Sequence, residues 1–207
     1  MPALSPVFFR LSALLGLLAL AGCGRSDSPA GSAGSPAAPT GPQFAVLETS
    51  HGTIEFELLT TDAPKATENF RLLAERGYYN GLTFHRIVKG FMIQGGDPKG
   101  DGTGGESAWG GTFNDEIAPF NQLYQRGAGY KRGIVAMANR GPNTNSSQFF
   151  ILHKDYGLPP SYTIFGRVTK GIEVVDTIAE LPTVRGGDGG MSQPRQPVVM
   201  QRVTIRK

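Results

Sequence analysis

From Phe44 onward the chain is written in short segments whose apolar residues alternate with polar ones, and this alternation constrains the fold more than any other feature. FAVLET is followed by Ser50-His51-Gly52 and then by TIEFELL, in which Ile54, Phe56 and Leu58 fall on one face. A period of two puts successive side chains on opposite faces of an extended strand, so two such runs joined by turn residues predict an antiparallel hairpin. FHRIV, GIVAMAN, QFFIL, YTIFGRV and the terminal VVMQRVTIRK are further β-prone segments bounded by turn residues. Between them TDAPKATENFRLLAERG breaks the period: Asp62 and Pro64 mark a helix start, Ala66, Phe70 and Leu73 share a face, and Gly77 closes it. GIEVVDTIAEL offers a second helix that must end before Pro182. Two helices among many short strands, without strand-helix-strand alternation, predict a closed or nearly closed antiparallel sheet capped by helices.

The first 43 residues follow a different rule. MPALSPVFFR supplies one cation, Arg10, and LSALLGLLALA is a short apolar run, the layout of a secretory signal. The run falls short of the roughly 20 residues that span a bilayer. It ends in Leu20-Ala21-Gly22-Cys23, the only cysteine of the chain. That ending resembles a bacterial lipobox, which implies cleavage before Cys23 and acylation of the new terminus. A plain signal peptide with an incidental cysteine is the alternative. Gly24 rather than aspartate after the cysteine points to the outer membrane of a cell envelope more than to the inner one. GRSDSPAGSAGSPAAPTGPQ then reads as a disordered Gly/Ser/Ala/Pro linker. The expected organisation is a signal over 1–22, a lipidated cysteine and linker over 23–43, and one folded domain over 44–207. With a single cysteine, no internal disulfide can form.

Composition removes several classes of function. A formal net charge of +3 over 207 residues, with no Lys/Arg block, is too dilute for a nucleic-acid surface. No G-x-S-x-G stands near His51, His85 or His153, and no pair of these histidines has metal-ligand spacing, so neither a hydrolase triad nor a metal site is expected. The loop GGDPKGDGTGG lacks the G-K-[ST] ending of a phosphate cradle and reads as a surface loop with residues at positive φ.

Two stretches carry the chemistry. FHRIVKGFMIQGGD, Phe84 to Asp97, and MANRGPNTNSSQFFIL, Met137 to Leu152, both set amides and an arginine among aromatics. Such groups offer no acid or base suited to proton transfer at neutral pH, but they can bind and polarise. Rotation about an amide bond asks for no more: its barrier of about 18–20 kcal/mol comes from C–N resonance, and a donor near the nitrogen weakens that conjugation.

These two stretches resemble the signature motifs of the cyclophilin-type peptidyl-prolyl cis-trans isomerases, and the resemblance continues through APKATENF, GTGGES and YTIFGRV over nearly all of Phe44 to Lys207. It implies a closed eight-stranded antiparallel β-barrel capped by two α-helices, working without a cofactor or metal on proline-containing polypeptides, as a monomer. By position, Arg86 matches the family's catalytic arginine, Gln94 the glutamine that helps hold it, and Asn139 the residue whose backbone pairs with the substrate. Phe91, Met92, Phe150 and Leu158 match the pocket for the proline ring. Ala138 and Gln148 match the adjoining groove, and Tyr162 stands where a histidine is common. No tryptophan precedes Leu158, so cyclosporin is expected to bind weakly. A proline-peptide-binding chaperone module with little turnover, or a structural envelope protein, remains open at this point. Retention of Arg86 within its motif favours the enzyme.

Overall fold

The computed structural model describes residues 41–117 and 129–207, which form ten strands and two helices. The elements are β1 (Gln43–Thr49), β2 (Gly52–Leu58), α1 (Pro64–Glu75), β3 (Arg86–Val88), β4 (Met92–Gly95), β5 (Ile134–Met137), β6 (Phe149–Leu152), β7 (Ile164–Lys170), α2 (Ile172–Ala179), β8 (Thr183–Arg185), β9 (Met191–Pro194) and β10 (Met200–Arg206). The expected signal segment, Cys23 and the linker up to residue 40 lie outside the described residues. The predicted hairpin forms: β1 pairs with β2 from Gln43 opposite Leu58 to Thr49 opposite Gly52. It begins one residue earlier than the alternation suggested, because Gln43 is already buried.

Eight strands make one antiparallel sheet in the order β10-β1-β2-β7-β5-β6-β4-β3. The barrel is not closed, which corrects the expectation. The edges β10 and β3 do not pair as strands; only an isolated bridge between Thr83 and Val199 links the segments that lead into them. Beside it, the Phe84 N–H donates to Val198 O at 2.9 Å and the Met200 N–H to Leu82 O at 2.8 Å. The physical reason is length, since β3 has three residues and the chain enters it from the irregular turn at Asn80-Gly81. Few ladder groups remain to complete the seam.

The face of each strand is set by the period of two. Phe149 and Ile151 of β6, Ile93 of β4, Val135 and Met137 of β5, and Phe165 of β7 point into the main core. There Phe70 of α1 lies with its ring 4.8 Å from Tyr79, 5.2 Å from Phe56 and 5.4 Å from Phe149. The alternate residues Met92, Ile134, Ala136, Phe150, Leu152 and Ile164 form a second cluster on the opposite face. This is why QFFIL and GIVAMAN read as continuous apolar runs: both faces of these strands are covered.

The helix α1 starts at Pro64, as the sequence indicates, but its first N–H groups are satisfied from elsewhere in the chain. Ala63, not Asp62, is the N-cap, and it makes no side-chain cap. Instead Glu116 reaches in from a loop far along the chain, and its two carboxylate oxygens accept the N–H groups of Lys65 at 3.0 Å and Ala66 at 2.8 Å. A carboxylate there satisfies orphan donors and complements the helix dipole. The far end follows the sequence: Gly77 takes φ 71, its N–H donates to Ala74 O and that of Tyr78 to Leu73 O, the paired bonds of a glycine-terminated helix.

A small sheet of β8 and β9 was not anticipated. Its strands are short and largely exposed, so they carry no apolar alternation. It packs beside β3. No helix among the described residues is long and apolar enough to cross a membrane.

Candidate active site

Strand register assembles the site. Arg86 lies opposite Gln94, Gln94 opposite Phe150, and Phe150 opposite Ala136, so one cross-strand row runs over β3, β4, β6 and β5. In the next row Val88 faces Met92 and Met92 faces Leu152. Side chains in such rows stand side by side on one face, and a cation and an amide therefore border the second apolar cluster.

The polar part is oriented by a chain of hydrogen bonds that begins in the glycine-rich loop. Gln148 Nε2 donates to the carbonyls of Gly102 at 3.1 Å and Gly104 at 2.8 Å. Its Oε1 is thereby left to accept from Gln94 Nε2 at 3.0 Å. Gln94 Oε1 in turn faces Arg86 Nη1 at 3.4 Å. An amide has one acceptor end and one donor end, so the two carbonyls decide the direction of both glutamines and present an acceptor to the guanidinium. Close packing of the loop makes this possible. Gly96 has φ +85, and a Cβ there would lie 2.5 Å from Ser147 O, while the Ser147 hydroxyl donates to Gly96 O at 2.6 Å.

Arg86 has another partner, which sequence reasoning missed. Its Nε donates to Asp188 Oδ2 at 2.7 Å, and Asp188 sits in the turn between β8 and β9. The Arg86 guanidinium, helped by the Ser192 hydroxyl, lowers the Asp188 carboxyl from its ordinary value to about 2. The only available signal was an aspartate inside GGDGG, which reads as a turn residue and no more.

The apolar residues expected in the pocket come together. Met92 and Phe150 are buried in the second cluster, and Phe91, Ala138, Leu158 and Tyr162 pack around them half-buried. Phe150 meets Tyr162 edge-on at 5.5 Å, and the Phe91 ring lies tilted 6.3 Å from it. Two tyrosines were not foreseen. Tyr130 Oη donates to the Tyr162 carbonyl at 2.8 Å and accepts its N–H at 3.0 Å, which locks the backbone at Tyr162. Tyr156 is exposed and lies 4.2 Å from the Phe91 ring. The Asn139 side chain is engaged locally, donating to Ser161 O at 2.7 Å and accepting from Gly141 N–H at 3.3 Å; this ties the turn after β5 to the segment that leads to Tyr162.

The histidines stand apart from this row. His153 bonds Asp176 through Nδ1 at 2.9 Å, and His51 faces the Ser50 hydroxyl in the first hairpin turn. His85, next to Arg86 in sequence, has both ring nitrogens buried without a hydrogen-bond partner. Burial pushes its pKa below the ordinary value; Asp97 opposes this and Arg86 adds to it. Trp109, the lone tryptophan, lies under the Lys65 ammonium, which is 3.6 Å from its ring centre.

The chain is similar to known proteins. A family model described as cyclophilin type peptidyl-prolyl cis-trans isomerase/CLD matches residues 44–205. The Arabidopsis thaliana protein named peptidyl-prolyl cis-trans isomerase CYP18-1 is 48% identical over 160 residues, 77% of this chain and 93% of that protein. The Homo sapiens peptidyl-prolyl cis-trans isomerase-like 1 is 52% identical over 143 residues, 69% of this chain and 82% of the relative. A crystal structure of a Cryptosporidium parvum cyclophilin type peptidyl-prolyl cis-trans isomerase matches with a TM-score of 0.72 at 38% identity, covering 81% of this chain and 99% of that one. A second structure of that protein, determined in the presence of the dipeptide ala-pro, matches with a TM-score of 0.70. On the family match over residues 44–205 and these identities, the chain belongs to the cyclophilin-type peptidyl-prolyl cis-trans isomerase family.

Proposed function

We propose that the row Arg86, Gln94 and Phe150, with the apolar cluster beside it, is where this isomerase holds and twists X–Pro bonds. The single observation that carries this reading is the register that sets a guanidinium and an oriented amide against a half-open apolar face. Phe91, Met92, Phe150, Leu158 and Tyr162 take the proline ring. Ala138 and Gln148 border the adjoining groove, and the Asn139 backbone pairs with the chain after proline. The Arg86 guanidinium donates toward the prolyl nitrogen and carbonyl. A donor at the nitrogen favours the pyramidal, twisted amide over the planar one, and a desolvated surround strengthens that preference. No bond to the protein forms. The neighbour solved in the presence of ala-pro suits a substrate of this class.

The test is isomerisation of a proline tetrapeptide by the full chain, wild type beside Arg86→Ala. Loss of one preorganised donor is expected to lower kcat by about 10²-fold with the fold intact by circular dichroism. A folded wild type that leaves the uncatalysed rate unchanged would turn the reading into a peptide-binding module. Tyr156 against Phe91 does not replace an indole beside Leu158, so cyclosporin inhibition is expected to be weak; tight inhibition in the same assay would contradict that.

The setting is proposed from residues 1–43. The lipobox-like Leu20-Ala21-Gly22-Cys23 supports cleavage before Cys23, acylation, and a linker that holds the 44–207 domain near a membrane of the cell envelope, the outer one by Gly24. Clients would then be proline-containing envelope proteins, met by a monomeric domain. Labelling with a radioactive fatty acid during bacterial expression tests it: label on wild type and none on Cys23→Ser supports the anchor, and an unlabelled wild type removes it.

A further inference from the structure

The geometry points to Asp188 as the positioning residue of Arg86, delivered to the site by the β8–β9 hairpin. The inference rests on the reading of Arg86 as the donor to the prolyl amide. The two oxygens of this carboxylate divide their work. Oδ1 is held within the hairpin, accepting the Ser192 hydroxyl at 2.6 Å and the Gly190 N–H at 3.0 Å. Oδ2 accepts Arg86 Nε at 2.7 Å. Ser192 is itself buried, so the carboxylate is anchored from behind and presents one oxygen outward.

On the other side, Arg86 Nη1 meets Gln94 Oε1 at 3.4 Å and Met92 Sδ at 3.9 Å. A guanidinium is a rigid plane with five donors. Contacts at Nε and at Nη1, from two separate elements, fix that plane and leave Nη2 without a protein partner among the described residues. Such a fork is set for a ligand before the ligand arrives, and preorganisation of this kind acts on the chemical step.

The exposure of the pair argues against a mainly structural purpose. The two side chains are 32% and 31% exposed, and ion pairs at that exposure add little to fold stability. Yet the pair joins positions 102 apart in sequence, through a hairpin that packs beside β3. The fold spends a separate supersecondary unit on one carboxylate at the guanidinium.

The experiment uses the full chain as wild type, Asp188→Ala, Arg86→Ala and the double variant, assayed on a proline tetrapeptide over a range of concentrations, with melting curves for each. Asp188→Ala is expected to lower kcat about 3- to 10-fold, the range of a partly screened charge-assisted bond. KM should stay within about twofold and the melting temperature nearly unchanged. In the Arg86→Ala background the same substitution should leave the residual rate as it was. Unchanged kcat in Asp188→Ala, or an equal loss in both backgrounds, overturns the inference while Arg86→Ala still reports on the parent reading. Nitrogen-edited NMR of Arg86 Nε–H tests the contact without turnover. Slow exchange with water in wild type and fast exchange in Asp188→Ala is expected, and identical exchange in the two overturns it.

Discussion

Gln148 shows how one amide can set the orientation of the next. Its amide is committed to two loop carbonyls, and that commitment sets the orientation of Gln94. Gln148→Leu would leave those carbonyls without their donor and free Gln94 to flip, so that an amide donor instead of an acceptor could face Arg86. With a net worth of about 1 kcal/mol for one such bond, kcat on a proline tetrapeptide should fall by roughly fivefold to tenfold, and a normal kcat in a correctly folded variant would contradict the relay. The pH dependence follows from the same residues. Asp188 has its pKa lowered to about 2, so it stays ionised above pH 4. His85 is shifted below its ordinary 6.5, and so is increasingly neutral above that value, while a guanidinium has no proton to lose near neutrality. The rate is therefore expected to be nearly flat from pH 6 to 8, and a steep bell centred there would contradict the mechanism. Arg86, Gln94 and Phe150 were legible because all lie inside motifs with aromatic neighbours. Asp188 was not, since its partner is 102 positions away and nothing local distinguishes it from any turn aspartate.

At the scale of elements, period and punctuation carried most of what could be read. Alternation announced β1 and β2, β-prone composition announced β10, and Gly77 and Pro182 bounded the helices. What was missed shares one cause: the partner comes from elsewhere in the chain. Asp62 and Pro64 marked the start of α1, but the carboxylate that satisfies its first N–H groups is Glu116, and a local pattern cannot tell a nearby carboxylate from a distant one. Glu116→Ala is expected to cost about 1 kcal/mol, typical for a helix cap, as a lower urea midpoint at unchanged slope. Asp62→Ala should leave the midpoint near wild type. A larger loss from Asp62 than from Glu116 would reverse this assignment. The hairpin of β8 and β9 escaped notice for the related reason that its strands bury little. The barrel seam stays open because β3 is short, a fact about hydrogen-bond counts that hydrophobic pattern does not encode.

Over the whole molecule, α1 against the inner sheet face is the mechanical base of the site, since the same strands carry core residues on one side and the groove on the other. Phe70 contacts four aromatic rings there; Phe70→Ala should cost about 3–5 kcal/mol and weaken the groove along with the core. The response of the whole fold to acid divides into two windows. His85 has its folded pKa depressed mainly by burial, so its contribution is fully present above the unfolded value of 6.5 and is lost as pH falls through the folded one, because the unfolded chain takes up the proton first. The carboxylates act lower. Asp188 is depressed from 3.8 to about 2 by Arg86 first, but at a third exposed it adds only a small screened share. Glu55, Asp101, Asp155 and Asp176 are lowered as well, and their joint contribution, present above the ordinary carboxylate range, disappears as pH falls below it. The melting temperature of wild type should therefore decline gently between pH 7 and 5 and more steeply below 4. His85→Gln removes the titrating imidazole and should flatten only the first decline. If the two chains lose stability in parallel between pH 7 and 5, the buried imidazole is not the group that responds there, and its unpartnered nitrogens are reached by solvent in the folded chain.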